Sequence, residues 1–594
     1  MASERHNRYY HPELADIYDN IKISPEDPRD LTPSRLHRQL HALHRECRDR
    51  LRLEKVGESV EGRDIFLVTM GHGPRSVFMW SQMHGNEPTA TNALLDLMHF
   101  LCRKADHPIA QSLLSKLTLY MVPMLNPDGA ERFQRRNAQG LDINRDARDL
   151  VTPEGRLLKA LQQQLKPDFG FNLHDQNARR TVGDTNRIVA IALLVPPIDA
   201  RETRTEQIIA AEKIASVMCQ ALTPYLDGHL AKYDASFMPN AFGDNFQRWG
   251  TTTVLLESGG WFENDPAFLV KMNFIAIVEA CLAIARGTYH DADPALYRSL
   301  PQNDKELFDL LIEEAILLDD VHPEPIRSEI GVNFIEEHRN ERHCPAGRIV
   351  DIGDLRVYSA RRTISARDHL LLPGLIGLVS RSDAKRLPDE QVFLKYLKRG
   401  YTTLLVPVPT TEQRAEKFQS LLERFQRSRL PVNVAFVLEV DETEPPEAGN
   451  LDFGDALAQG ALALLRNTPA ADAPADTRRI MRWFNRPEIR PQEFSAVSSW
   501  PELLARKDLA TAKKRAEALY LTGRGSLRVD DYADFVLYPL QSVSPLRLKQ
   551  KTPSRVFVNG RQVLARGKLL PEKVCGRLIL ASPPAPDPPR QGYR

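Results

Sequence analysis

Residues 75–97 read RSVFMWSQMHGNEPTATNALLDL, and the order of residue types in this stretch decides the fold of the first half of the chain. The apolar run RSVFMWSQ (75–82) is strand-like, and a short polar turn carries His84 and Glu87. PTATNALLDLMHFLCRKA (88–105) then has helical spacing with proline at its start. Working outward, further strand candidates are RDIFLVTM (63–70), KLTLYMVPM (116–124), DFGFNLH (168–174), IVAIALLV (188–195) and TTTVLLES (251–258). They alternate with helix-like segments such as EQIIAAEKIASVMCQAL (206–222). This alternation predicts an α/β domain over about residues 60–290, a sheet with helices on both faces. A polar, helix-like segment near 32–55 is expected to pack on its outside.

The chain has 594 residues, 42% of them apolar and 26% charged, with a net charge of +1 from 79 basic and 78 acidic side chains. This is globular composition, and the length allows about three or four folding units, so at least two domains are expected. So even a balance gives no electrostatic reason for wholesale binding to nucleic acid or acidic membranes. No uncharged apolar stretch is long enough for a membrane span, and the start, MASERHNRYYHPELADIYDN, has no signal-like apolar core, so a cytoplasmic protein is expected. Cys47, Cys102, Cys219, Cys281, Cys344 and Cys575 form no CxxC pair and are expected to be buried and reduced.

His84 and Glu87 follow a strand and precede a helix, and His174 ends another strand. Two imidazoles and one carboxylate with an open fourth position form a recurrent catalytic zinc set. An HxxE triplet alone is commonplace, and support comes from MLNPDGAERFQRRNAQGLDINRDA between the candidate ligands. There Arg145 is suited to hold a carboxylate with two parallel hydrogen bonds, and the Asn144 amide to add a third. Arg135 is suited to steady an oxyanion, and Asp142 to fix the tautomer of a ligating histidine. Glu257 ends TTTVLLES before two glycines, where a partly desolvated carboxylate suits a general base. His37, His41 and His44, at helical spacing, read as a solvated helix face.

With these motifs in order over about residues 60–290 (HGNE, NPDG, RRN, GLDINR, NLHDQ, LLESGG), the chain resembles the M14 zinc carboxypeptidases. The resemblance implies a mixed β-sheet covered by helices and one zinc ion per chain on His84, Glu87 and His174. It implies Glu257 as base, Asp142 as support for the first histidine, Arg135 or the adjacent Arg136 at the carbonyl, and Asn144 with Arg145 at the substrate's terminal carboxylate. The family's usual tyrosine has no secure counterpart, Tyr233 lying near the expected place in an unfamiliar segment.

In the second half, residues 307–381 and 525–568 resemble the two chain ends of amidohydrolase-superfamily proteins, which pair into a β-sandwich beside a (β/α) barrel. YTTLLVPVP (401–409) is expected as an inner strand of a partial barrel. Where active relatives carry an aspartate and an HxH pair, this chain has Gly377, Val379 and Arg381, and His369 is its last histidine. A non-catalytic module over 299–575 is therefore expected, after a catalytic domain over 1–298 that includes a helical segment at 10–55. DETEPPEAGN (441–450) and NTPAADAPAD (467–476) read as exposed loops, and 576–594 as a flexible proline-rich tail.

The leading expectation is a metallocarboxypeptidase acting on a peptide or peptide-like substrate with a free terminal carboxylate. A zinc amidase or deacylase of small acylated amino acids is the close rival, and a catalytically silent binding scaffold is the reading from another class.

Overall fold

The computed structural model describes residues 9–579, except 235, 262–264, 340–341, 410–414, 429, 440–455, 458, 467–485, 495–498, 522, 544–545, 560 and 571–577. The two loops expected at 441–450 and 467–476 and most of the expected tail lie outside the described residues. The chain divides into two compact units, residues 1–307 and 308–594.

The first unit is built on eight strands: β1 (Leu51–Glu58), β2 (Asp64–Met70), β3 (Arg75–Ser81), β4 (Leu117–Val122), β5 (Phe169–Asp175), β7 (Ile191–Leu194), β8 (Leu230–Lys232) and β9 (Thr252–Ser258). The short β6 (Arg180–Val182) pairs separately with β10 (Asn303–Glu306), which keeps the chain after 298 in this unit. The sheet order is β1-β2-β4-β3-β5-β9-β7-β8. β4, β3, β5 and β9 run parallel, while β1, β2 and β7 pair antiparallel to their neighbours toward the centre. The four parallel central strands carry apolar runs because helices cover both faces, and the flanking β2 and β7 are also largely buried, so all six predicted strands are found.

Alternate residues of these strands feed two cores. Val77, Met79, Phe171 and Val254 pack under the helices Thr89–Arg103, Glu206–Leu226 and Pro266–Arg286. Phe78 and Trp80 face the other way, against Leu158 and Leu161 of the helix Pro153–Leu165 and Phe242 and Phe246 of the helix Phe242–Arg248. By length and composition Pro266–Arg286 is long and apolar enough to cross a membrane, but 83% of its most apolar window is buried inside this unit. It is a core helix.

Two expectations are corrected here. The helix-like reading of 32–55 holds only for Pro33–Glu46; Leu51–Glu58 is the edge strand β1. Its polar sequence LRLEKVGE is what an edge tolerates, and it gave no strand signal. Cys47 and Cys102 are not reduced but joined in a disulfide, their Cα atoms 5.9 Å apart. Packing brings together two residues 55 positions apart, a proximity that spacing does not reveal. Cys219 and Cys281 are buried and free, as expected.

The N-terminal segment is tied down by Asp96, a fully buried carboxylate on the helix Thr89–Arg103. It accepts hydrogen bonds from the Ile23 amide (2.8 Å), the Ser24 amide (2.9 Å) and the Ser24 hydroxyl (2.7 Å). Beside it, Asn92 donates to the Pro28 carbonyl at 3.0 Å.

In the second unit, strands from both ends of the sequence join in one ten-stranded sheet, with Leu310–Leu317 beside His369–Pro373 and the latter beside Phe535–Ser542. A six-stranded parallel sheet has Tyr401–Val408 and Asn433–Glu439 at its centre. Leu370 and Val536 of the first sheet share a core with Leu404 and Phe436 of the second. The opposite face of the ten-stranded sheet packs Ile330 and Ile349 against Phe535 and Phe557.

Removing the Asp96 carboxylate strands three donors in the interior. Asp96→Ala is expected to destabilise the first unit by about 2–4 kcal/mol and to speed proteolysis between residues 10 and 30. An unchanged urea midpoint with unchanged cleavage would remove its anchoring role.

Candidate metal centre

The parallel register of the central strands assembles the site. His174 and Glu257 are directly paired across β5 and β9, and β3 ends alongside at Ser81, paired with Leu173. Side chains at the carboxyl ends of three adjacent strands thus share one cleft, the position at which open α/β sheets place ligands. After β3 the chain turns through Gln82, whose φ of 50° lies in the left-handed region. The buried Gln82 side chain donates to the Gly85 carbonyl at 2.9 Å and accepts from Thr91 at 2.8 Å, which pins the HGNE turn.

NPDG braces that turn from outside. The Asn126 side chain donates to the Met83 carbonyl at 3.1 Å and accepts from the Gly129 amide at 2.9 Å. A Cβ on Gly85 would collide with the backbone of Gly129 and Ala130, so glycine is required where the two loops touch.

His84, Glu87 and His174 are brought together, with one ligand atom from each within 4.8 Å of the others and all three residues buried. Nδ1 of His84 lies 2.7 Å from one oxygen of Glu87, and Nδ1 of His174 lies 2.8 Å from the other. Nε2 of His84 is 3.0 Å from Asp142, which directs the Nδ1 side of that ring toward Glu87. Among the described residues no other group of three or more His, Cys, Asp or Glu side chains has a ligand geometry. Two ring nitrogens and a carboxylate in a dry setting, one ring oriented from behind by an acid, fit a zinc ion.

The electrostatics follow from burial and pairing. Burial alone would raise Glu87, but the two histidines overcome it and hold Glu87 well below the usual carboxylate range. His84 is opposed by burial, yet Glu87 and Asp142 keep it above the ordinary histidine value, whereas burial prevails at His174 and lowers it. Burial, with Glu87 and Asp175 nearby, pushes Glu257 far above the ordinary range, and one of its oxygens has no hydrogen-bond partner. A carboxyl group so placed takes up a proton readily.

Of the two arginines left open by the sequence, Arg135 faces the site. It donates to Glu87 at 3.1 Å and to Asp142 at 3.1 Å, whereas Arg136 turns away to the Gly140 carbonyl at 2.9 Å. Asn144 is buried and accepts from the Phe242 amide at 2.9 Å. Arg145 is exposed and makes an intrachain bond to the Asn144 carbonyl at 2.8 Å, and no carboxylate among the described residues pairs with it. The Tyr233 hydroxyl is pushed up to about 12, first by burial and then by the charges of Glu257 and Glu87, which places it within electrostatic reach of the centre.

Asp175 was missed. It accepts from the Thr89 hydroxyl at 2.8 Å, its own amide donates to Glu87 at 3.2 Å, and burial followed by Glu87 pushes its carboxyl up to about 7. The signal was its place directly after His174 in NLHDQ. His41 is exposed, as a solvated face requires, and His37 is half-buried; both rings sit edge-on to Phe66, at 4.9 and 5.4 Å between ring centres. His44 binds the Leu51 carbonyl at 2.9 Å.

Residues 36–181 match the family model described as zinc carboxypeptidase. The chain is 30% identical over 144 residues to Carboxypeptidase SOL1 of Arabidopsis thaliana, covering 23% of this chain and 29% of that protein. It is 32% identical over 139 residues to the Carboxypeptidase N catalytic chain of Rattus norvegicus, covering 20% of this chain and 30% of that one. The matches therefore span less than a third of those relatives. Among solved structures, the metallo-carboxypeptidase from Burkholderia cenocepacia is 19% identical with a TM-score of 0.34, covering 43% of this chain and 69% of that chain. The matched segment contains His84, Glu87, Arg135, Asp142, Asn144, Arg145 and His174, while Glu257 lies beyond it. Over residues 36–181 the chain is therefore similar to the M14 zinc carboxypeptidases.

Proposed function

We propose that the first unit hydrolyses the C-terminal peptide bond of a peptide or peptide-like substrate, with one zinc ion held by His84, Glu87 and His174. The observation that carries this reading is the convergence of those three ligands beside Glu257, its register partner being the ligand His174. Bound there, zinc supplies Lewis acidity toward water and the scissile carbonyl. Glu257 takes the proton of the attacking water and returns it to the leaving amine. Arg135, already poised over Glu87 and Asp142, stabilises the oxyanion as charge develops on it. Asp142 holds the His84 ring in place. Arg145, with no carboxylate partner among the described residues, binds the substrate's terminal carboxylate, and Asn144 beside it contributes its side-chain amide.

An amidase or deacylase of acylated amino acids uses the same metal set and also needs a free carboxylate at Arg145; substrate length separates it from an exopeptidase. A silent scaffold is disfavoured by the buried, complete ligand set. We read the second unit as non-catalytic. At the strand end where a metal-binding relative would carry histidines, Val379 is buried and Arg381 pairs with Glu439 at 2.9 Å.

Freshly purified protein is expected to carry about one zinc per chain by elemental mass spectrometry, and His84→Ala to lose both the zinc and all turnover. Zinc-free active wild type would end this reading. With a peptide library, single residues are expected to leave from the carboxyl terminus. Amidation of that terminus should cost roughly 100-fold in kcat/KM, because the charge-assisted, two-point contact with Arg145 is then lost. Glu257→Gln should lower kcat by about 10²–10⁴-fold with zinc retained. Equal turnover of acid and amide would remove Arg145 as the anchor.

A further inference from the structure

The second unit contains a cavity of about 570 Å³ lined by Arg362, Arg555, Arg566, Thr363, Ser365 and His369, among others, with no acidic residue in its wall. Two segments distant in sequence supply the arginines. Arg362 precedes the strand Thr363–Ser365, Arg555 opens the strand Arg555–Val558, and Arg566 follows the strand Arg561–Ala565. Two contacts set their placement. The Arg566 amide donates to the Ser554 carbonyl at 2.9 Å, and Arg555 is the register partner of Ala565, so the pairing of these two strands brings both arginines to one cavity wall. Arg362 reaches across to the side-chain carbonyl of the buried Gln562 at 3.0 Å.

Several other arginines of this unit are paired with carboxylates. Arg361 pairs with Asp309, Arg367 with Glu314, Arg356 with Asp354 and Arg524 with Asp534. Arg362, Arg555 and Arg566 have no carboxylate partner among the described residues. The cavity of about 520 Å³ beside the metal centre makes the contrast sharper, since its Arg132 and Arg135 are already committed to Glu61 and Glu87. Burial and then the nearby Arg555 pull Arg362 below the usual guanidinium range, the mark of like charges held together without a counter-charge. Three guanidiniums on a wall without a carboxylate make a locally positive surface to which an anion is attracted.

We propose that this cavity binds a small polyanion carrying at least two phosphate or carboxylate groups. Its volume lies in the range of small-molecule sites. The planar guanidiniums grip such oxygens through paired hydrogen bonds, and the Thr363 and Ser365 hydroxyls are available at the rim. The site is independent of the hydrolytic reading of the first unit.

Calorimetric titration of the full-length, zinc-loaded chain with pyrophosphate and, separately, with citrate at low ionic strength tests it. One equivalent of at least one of them is expected to bind. Binding of pyrophosphate alone identifies a phosphate site, and binding of citrate alone a carboxylate site. The double variant Arg362→Gln/Arg555→Gln should weaken that binding at least tenfold, and it should abolish the rise in melting temperature that the ligand gives the wild type. Stripping the zinc should leave the affinity within twofold. The proposal is overturned if neither anion binds, or if binding survives in the double variant and disappears with the zinc. Wild-type circular dichroism of the double variant separates loss of the site from loss of the fold.

Discussion

Glu87 is the group on which the rest of the centre depends. It is a buried carboxylate with one oxygen facing His84 and the other His174, approached from outside by Arg135. Left alone in that interior it would be protonated, because burial penalises the charge; the ring nitrogens and the guanidinium hold it ionised. The same arrangement prepares a cation site. Two ring nitrogens and a carboxylate oxygen already lie within 4.8 Å of one another, and Asp142 keeps the first ring from rotating away.

This constraint propagates outward. His174 is placed by a parallel strand register that also sets Glu257 beside it. His84 and Glu87 are placed by a turn that Gln82 pins from within and NPDG braces from without, the two loops meeting where only Gly85 fits against Gly129. Asp175, one residue past the second imidazole, links the helix start at Thr89 back to Glu87 through its own amide. The acid–base polarity then follows from environment: Glu87 and Asp142 are held ionised by cations, while Glu257, flanked by carboxylates, is pushed toward the protonated form. The second unit shows the reverse economy of charge. Several of its arginines, such as Arg361 and Arg367, are matched to carboxylates, whereas Arg362, Arg555 and Arg566 line one cavity whose wall carries no acid.

Much of this was legible along the chain. The six strands found in the sequence are those buried on both sides, because double burial leaves an unbroken apolar run. The three side chains that converge, His84, Glu87 and His174, were likewise readable as a candidate set, since each stands at a strand end or in a turn beside a motif of constrained residue type. What was misread was governed by position in space. LRLEKVGE looks unlike a strand because it lies at a sheet edge, and the half-burial of His37 was hidden because Phe66, against which it packs, comes from another element.

The sequence by itself determined which residues could do chemistry and which strands had to be interior, since residue type and apolar periodicity are local properties. Only the tertiary structure decided between Arg135 and Arg136, joined Cys47 to Cys102, added Asp175 to the centre and gathered Arg362, Arg555 and Arg566. Each of those outcomes is a distance between groups whose separation along the chain says nothing of their separation in space, and packing alone sets that distance.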